Sequence, residues 1–210
     1  MRIKIGIAGL LAALALPWTA GCDASSDSAV VLFPATPVTQ ADQTLAVLPA
    51  GAAVELLGEY AAGLQVRLDD GRVGYLSKDK AAPRAWPVAV IANINLGKGE
   101  KISPPAILAV VSETGDDVEF AYGGADGKIR YATTRELAHL SAVSNDIAVS
   151  AALLEASTLD EPRRTAALKR IWAQAGDSEL APVIERILSG DKAPVPHVFP
   201  EPFLADDDDL

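Results

Sequence analysis

Apolar and polar side chains alternate with a period of two along residues 64–79, LQVRLDDGRVGYLSKD, and again along residues 118–136, VEFAYGGADGKIRYATTRE. In the first stretch Leu64, Val66 and Leu68 fall on one face and Gln65 and Arg67 on the other, the pattern of a half-buried strand. Asp69-Asp70-Gly71 supplies a turn in which Gly71 is free to take positive φ, and Val73 and Tyr75 continue on the return strand. Ahead of this hairpin, residues 29–33 read as a buried strand and 34–43 as a loop. Residues 45–48 form a short strand closed by Pro49-Ala50-Gly51, and 53–60 a strand with Val54 and Leu56 on one face. Five short strands in about 55 residues predict a small barrel that hides its sheet edges by closure.

The pattern occurs twice. Adding 54 to Leu48, Val54, Leu56, Leu57, Glu59, Leu64, Val66 and Leu68 gives Ile102, Leu108, Val110, Val111, Glu113, Val118, Phe120 and Tyr122. After the turn the offset becomes 56, taking Asp70, Gly71, Arg72, Val73 and Tyr75 to Asp126, Gly127, Lys128, Ile129 and Tyr131. The two extra residues are expected in the loop Gly123-Gly124-Ala125, where lengthening costs little. A first barrel over residues 29–82 and a second, diverged one over 83–141 follow, joined at Pro83-Arg84-Ala85-Trp86-Pro87.

From residue 142 to 190 the period changes to that of helices. Asn145 or Asp146 is placed to cap a first helix running through Ala156. Asp160-Glu161-Pro162 marks the start of a second, with Leu168, Ile171, Trp172 and Ala175 on one apolar face and Gly176 at its end. Trp172 is read as a core residue. Asp177 or Ser178 opens a third helix that buries Val183, Ile184, Ile187 and Leu188, tolerates Pro182 in its first turn and closes at Gly190. Residues 191–210 carry four prolines and end in an aspartate run at 206–209. They are expected to be an extended acidic tail, with nothing that shapes a calcium loop.

The first 21 residues have the plan of a secretory signal peptide: Arg2 and Lys4, an uncharged apolar run over 5–16, Pro17, then small residues. Twelve apolar residues span about 18 Å as a helix, short of a ~30 Å hydrocarbon core. Thr19-Ala20-Gly21-Cys22 resembles the lipobox of bacterial lipoproteins, with Thr19 in place of the preferred Leu. That resemblance implies acylation of Cys22, a membrane anchor through diacylglyceryl and acyl groups, and a tether over 22–28. Asp23 resembles the signal that retains enterobacterial lipoproteins in the inner membrane, with the outer membrane as the alternative.

The first barrel resembles the bacterial SH3-type domain. The resemblance is carried by Leu48-Pro49-Ala50-Gly51, by Val54-Glu55-Leu56-Leu57, and by the hairpin from Gly63 to Leu76 with its closing aromatic Tyr75. Where the family opens on an Asn-Val-Arg-x-Gly-Pro-Ser-like stretch, this chain has Leu32-Phe33-Pro34-Ala35-Thr36-Pro37, without the Arg and Gly. The expected fold class is therefore mainly β with a C-terminal α part: two tandem SH3-like barrels followed by a short helical bundle or cap. Such domains bind peptidoglycan or protein ligands, and they accompany cell-wall hydrolases.

Composition narrows the chemistry. With 28 acidic against 18 basic residues the chain carries a net charge of −10, which opposes a phosphate backbone, and the basic residues form no cluster along the sequence. Cys22 is the only cysteine, so no intrachain disulfide and no thiolate metal site can form. There is no HExxH, GxSxG, P-loop or GxGxxG. The two histidines, His139 and His197, lie in ELAHL and in the Pro-rich tail. A non-catalytic binding module is expected, without cofactor, metal or nucleic acid. Its ligand residues are expected among Tyr60, Arg67, Arg72, Tyr75 and Trp86, and its ligand is peptidoglycan or another wall-associated molecule. The alternative is a scaffold subunit of an envelope or secretion complex with a protein partner.

Overall fold

The computed structural model describes residues 27–97 and 99–190. The leader, Cys22 and the Pro-rich tail lie outside the described residues. Seven strands come first: β1 (Ser28–Val31), β2 (Thr36–Gln40), β3 (Gln43–Leu48), β4 (Ala53–Tyr60), β5 (Gly63–Arg67), β6 (Val73–Leu76) and β7 (Ala81–Pro83). Seven more follow: β8 (Trp86–Val90), β9 (Ile94–Gly97), β10 (Glu100–Ile102), β11 (Ala106–Thr114), β12 (Asp117–Gly123), β13 (Ile129–Thr134) and β14 (Leu140–Ser141). A 3-10 turn at Leu137–His139 precedes β14. The chain then forms α1 (Ser144–Ser157), α2 (Glu161–Ala175) and α3 (Ala181–Leu188). The architecture is mainly β with a helical C-terminal part.

The strands do not form closed barrels. The first sheet runs β3-β2-β6-β5-β4-β1-β7, with β3 and β7 as free edges. It coils around one core, because Ala29, Val38, Leu56, Val66, Leu76 and Ala81, from six different strands, share a single buried cluster. Closure fails at β7, which ends at Pro83, a residue with no N–H to donate, and at Arg84, whose φ of 52° turns the chain away. The first unit also has seven strands where five were expected. Pro34–Gln43 is no loop: Ala41 and Asp42 both take positive φ (46° and 66°) and make a two-residue hairpin turn. Asn-Gly usually carries such a turn, so Ala-Asp gives no warning of it.

The second sheet repeats the first strand for strand: β13-β12-β11-β8-β14 follows the order β6-β5-β4-β1-β7. Every Cα pair of β4 with β5 recurs 54 residues later in β11 with β12, including the bulge, at Leu56/Gly58 and again at Val110/Ser112. Pairings of β1 recur 59 residues later in β8. The β9–β10 hairpin alone departs, standing as its own two-stranded sheet where β2 joins β6 through Thr39 and Tyr75.

The extra residues of the second hairpin are not in its loop. The five-residue turns 68–72 and 124–128 share their hydrogen bonds: Leu68 N–H to Arg72 O and Gly71 N–H to Leu68 O in one, Gly124 N–H to Lys128 O and Gly127 N–H to Gly124 O in the other. Two additional ladder pairs, Tyr122 with Arg130 and Gly123 with Ile129, lengthen both strands instead. By ladder position Val73 therefore answers to Tyr131, Tyr75 to Thr133, and the turn residue Leu68 to Gly124.

The lengthened hairpin reaches the first unit. Lys80 donates from Nζ to Gly127 O at 3.1 Å and lies 4.4 Å above the Phe33 ring. Val30, Leu32, Phe33, Ala82 and Ala85 of the first unit bury against Ala109, Ala121, Val111 and Ile129 of the second. Small side chains let the two sheets approach. Residues 29–31 of β1 and 106–111 of β11 are continuous apolar runs because each serves a core on both faces.

The helices cover the neighbouring part of that same face of the second sheet, since Ala89 is the ladder partner of Ile107 and Ile107 lies two residues before Ala109 on β11. Ile147, Val149 and Leu153 pack with Ala89, and Ser150 Oγ donates to Ala106 O at 3.1 Å. The turn at Ala50–Gly51 inserts between Ile107, Ile147 and Leu154, so close that a Cβ on Gly51 would fall 2.7 Å from Ile107 Cδ1. Neither expected cap closes α1, whose N-cap is Val143. Asn145 instead donates to Ala175 O at 2.9 Å. Asp146, 2% exposed, accepts from the hydroxyls of Ser141 and Ser178 and from the Glu179 N–H. Helix α2 starts as expected, with the Asp160 side chain accepting from Arg163 N–H and Pro162 in the first turn. Helix α3 starts at Ala181, later than expected, because Ser178 is held by Asp146. It buries Val183 and Ile184 and leaves Ile187 and Leu188 half-buried. Trp172 is not a core residue. Leu168, Ile171 and Ala175 fill the contact, and Trp172, one position past Ile171, lies 40% exposed at the rim.

Ala109, fully buried between the sheets, has no room for a larger side chain. Ala109→Leu is expected to lower stability by ~1–3 kcal/mol in urea unfolding. An unchanged midpoint would show that the two sheets do not meet there.

Candidate functional site

The outward face of β4, β5 and β6 carries most of the residues that the sequence singles out. Alternation along β5 turns Leu64 and Val66 inward and Gln65 and Arg67 outward. Gln65 stands opposite Tyr75 on β6 and donates from Nε2 to Tyr75 Oη at 3.4 Å. Tyr60, the last residue of β4, lies edge-on to Tyr75 with ring centroids 6.5 Å apart and planes at 77°. Its ring folds back over Gly58, where a Cβ would fall 2.8 Å from Tyr60 Cε2. The glycine thus makes the seat for the ring, which remains 51% exposed.

Next to the rings, Arg67 NH1 reaches both oxygens of its cross-strand partner Glu55, at 2.7 and 2.8 Å. Both side chains are about half exposed, so the pair adds little stability, ~0–1 kcal/mol. It does present a fixed donor and acceptor beside the aromatics. Arg72 has a different task. It donates from Nε to Asp70 Oδ2 at 2.7 Å and from NH1 to Leu45 O at 2.9 Å, tying the turn to β3. That guanidinium holds the Asp70 carboxyl below its ordinary range, and the carboxylate in turn raises Arg72.

The structure thus brings Tyr60 and Tyr75 together, with Arg67 on the same face, and assigns Arg72 to the turn. Trp86 is elsewhere: it opens β8 opposite Val110 and packs, half-buried, on the core of the second unit. Near the joint, Arg84 pairs instead with Glu59 at 3.1 Å. The sequence-based selection missed Gln65 and Glu55, whose alternation with Val66 and Val54 already placed them on the face of Arg67. It also missed Gly58, whose role depends on the bulge at Leu56/Gly58.

The face has no counterpart in the second unit. Tyr60 answers to Thr114 and Tyr75 to Thr133, while the Glu55–Arg67 pair answers to Ala109–Ala121. In the second copy the alanine pair is buried against the first unit, while Thr114 and Thr133 stay exposed and bring no ring to the face.

Its chemistry is that of contact: two phenol rings, an amide and a paired charge. Among the described residues no group of three or more His, Cys, Asp or Glu could hold a metal ion. His139 points its Nδ1 at the Asn93 carbonyl, 2.7 Å away, within a turn that Glu136 pins by accepting from Asn95 N–H at 3.0 Å. Among the described residues no helix is long and apolar enough to cross a membrane. No protein-family model matches the chain, and no curated protein matches it.

A carboxyl held below its ordinary value contributes stability that is full above the unfolded value of about 3.8 and is lost as pH falls through the folded one. Arg72→Gln removes the largest part of this contribution, that of the guanidinium, and keeps the residue 72 N–H on Asp70 Oδ1. The variant is expected to lose less stability than the parent between about pH 5 and pH 2, read from urea midpoints, while the Asp117–Arg135 pair is untouched. Equal acid-side losses would contradict the assigned role of Arg72.

Proposed function

We propose that this chain is a membrane-anchored envelope lipoprotein that acts as a non-catalytic binding module for peptidoglycan or another cell-wall-associated ligand. The observation that carries the binding half is the Tyr60–Tyr75 pair, seated over Gly58 and flanked by Gln65 and the Glu55–Arg67 pair. Exposed rings beside fixed donors and acceptors suit a ligand that is part apolar face and part hydroxyl or amide, as wall polymers are. The anchoring half rests on Thr19-Ala20-Gly21-Cys22 after the apolar leader. Two acyl chains bury enough CH₂ groups, at ~0.8 kcal/mol each, for stable attachment.

The finer fold reading, two tandem SH3-like units, belongs to the same proposal. Support comes from the coiled seven-stranded sheet around one core and from the bulge that recurs in the same ladder position. The second reading, a scaffold subunit with a protein partner, is favoured by Tyr131. It is 58% exposed on the edge strand β13, where the equivalent strand β6 is covered by β2.

Two measurements test the proposal. The detergent-solubilised chain is expected to co-sediment with isolated sacculi, and Tyr60→Ala with Tyr75→Ala to weaken retention about tenfold or more. A chain left wholly in the supernatant, yet crosslinked to an envelope protein through Tyr131, would favour the scaffold instead. Cys22→Ser is expected to abolish acyl labelling and leave unprocessed precursor; unchanged labelling would refute the anchor.

A further inference from the structure

We infer that the outer face of α2 is a contact surface for an anionic phospholipid bilayer, an inference that rests on the anchored reading above. Helix α2 carries four basic side chains and one acidic, in a chain of net charge −10. The sequence conceals this cluster, because the bases are spaced by Thr165, Ala166, Ala167 and Leu168 and gather only when the helix forms. Glu161, the acidic one, pairs with Arg164, and Arg163 pairs with Asp160 at the N-terminus. Lys169 and Arg170 have no ion-pair partner among the described residues, and both are exposed.

Helical geometry sets these residues in one arc. At about 100° per residue the exposed positions run from Trp172 on one rim, through Lys169, Ala166 and Ala173, to Arg170 and Arg163 on the other. The apolar stripe of Leu168, Ile171 and Ala175 is already spent on the bundle. What remains outward is a cationic strip with small residues in its middle and an indole at its edge; its one ion-paired member is Arg163, held by Asp160 at the N-terminal end. Lysine and arginine are attracted to anionic headgroups, and tryptophan partitions to the level of those headgroups. A lipid on Cys22 would leave four residues, 23–26, before Asp27, the first described residue. The five Cα–Cα steps from Cys22 to Asp27 span at most ~18 Å, so the folded body would lie close to the bilayer whichever face it turned. The chain as a whole, at a net charge of −10, is repelled by such a headgroup layer, and α2, with four basic side chains to one acidic, is attracted to it.

The experiment uses the processed, acylated chain reconstituted in vesicles, in a Trp86→Phe background; Trp18 leaves with the leader, so Trp172 is the only indole. Vesicles contain brominated phosphatidylcholine, with or without phosphatidylglycerol. Recovery of the chain with the vesicles reads the anchor; bromine quenching of Trp172 reads the helix. Quenching is expected with phosphatidylglycerol, is expected to fall severalfold at high salt, and is expected to be lost in Lys169→Glu with Arg170→Glu. Vesicle-bound chain with unquenched Trp172 overturns the helix proposal and leaves the anchor standing. Equal quenching without phosphatidylglycerol overturns the charge recognition. A chain not recovered with vesicles overturns the anchor, and absence of quenching on the same vesicles then overturns the helix as well. Should Trp86→Phe disturb the core, photo-crosslinking of the unaltered chain to an azide-bearing phosphatidylglycerol decides: adducts on the α2 peptide support the proposal, and adducts confined to other peptides overturn it.

Discussion

Two coiled sheets that press together through alanines set the conditions for everything else in this molecule. Ala82, Ala85, Ala109 and Ala121 bring the sheets close enough that Val30, Leu32 and Phe33 lose their water on a second face. A Glu or Arg at either of the last two positions would place a charge where no partner or solvent can reach it, a cost of several kcal/mol. Those are the residues that the first copy carries at the equivalent places, Glu55 and Arg67. One exchange of residue type at a cross-strand pair thus separates an exposed face from an interface.

The helices depend on the same arrangement. Their shared anchor is Asp146, which joins β14 through Ser141 to the start of α3 through Ser178 and the Glu179 N–H. Farther along α1, Glu155 accepts from the Ala35 N–H of the first unit at 3.1 Å. Burial raises the Glu155 carboxyl above its ordinary value despite that hydrogen bond. The first unit, the second unit and the bundle therefore meet at one corner, around Ala50, Gly51, Ile107 and Leu154.

Period and turn chemistry made much of this legible in the chain. The Asp-Gly turns, the repeat at 54 residues and the helix limits at Asp160, Pro162 and Gly176 rest on local rules, and local rules hold wherever the side chain acts on its own backbone. Tertiary choices were hidden. Ala41-Asp42 does not look like a hairpin turn, so β2 was missed. The offset of 56 is correct for the turn residues but not for the strands beyond, because a ladder lengthened by two residues on each side keeps its alternation and so leaves no trace in the pattern. Trp172 was assigned to the core by its type, although the helix phase sets it one step beyond Ile171. Of the site, Tyr60, Tyr75 and Arg67 could be read from the exposed half of a period-two pattern. Trp86 could not be separated from them, since an aromatic at a joint faces solvent or core according to a partner strand that the sequence does not name.

The contact between the two units joins unlike surfaces, the back of β1 and β7 in one copy to the face of β11 and β12 in the next. Contacts of that head-to-tail kind have no natural end and would extend into a stack of units. Here both ends are stopped. At the leading end the would-be docking face bears Glu55 and Arg67. At the trailing end Ala89, which stands where Val30 stands in the first copy, is roofed by Ile147, Leu153 and Leu168. The helical segment is thus the terminator of a two-member array, and it occupies the place that a third unit would take.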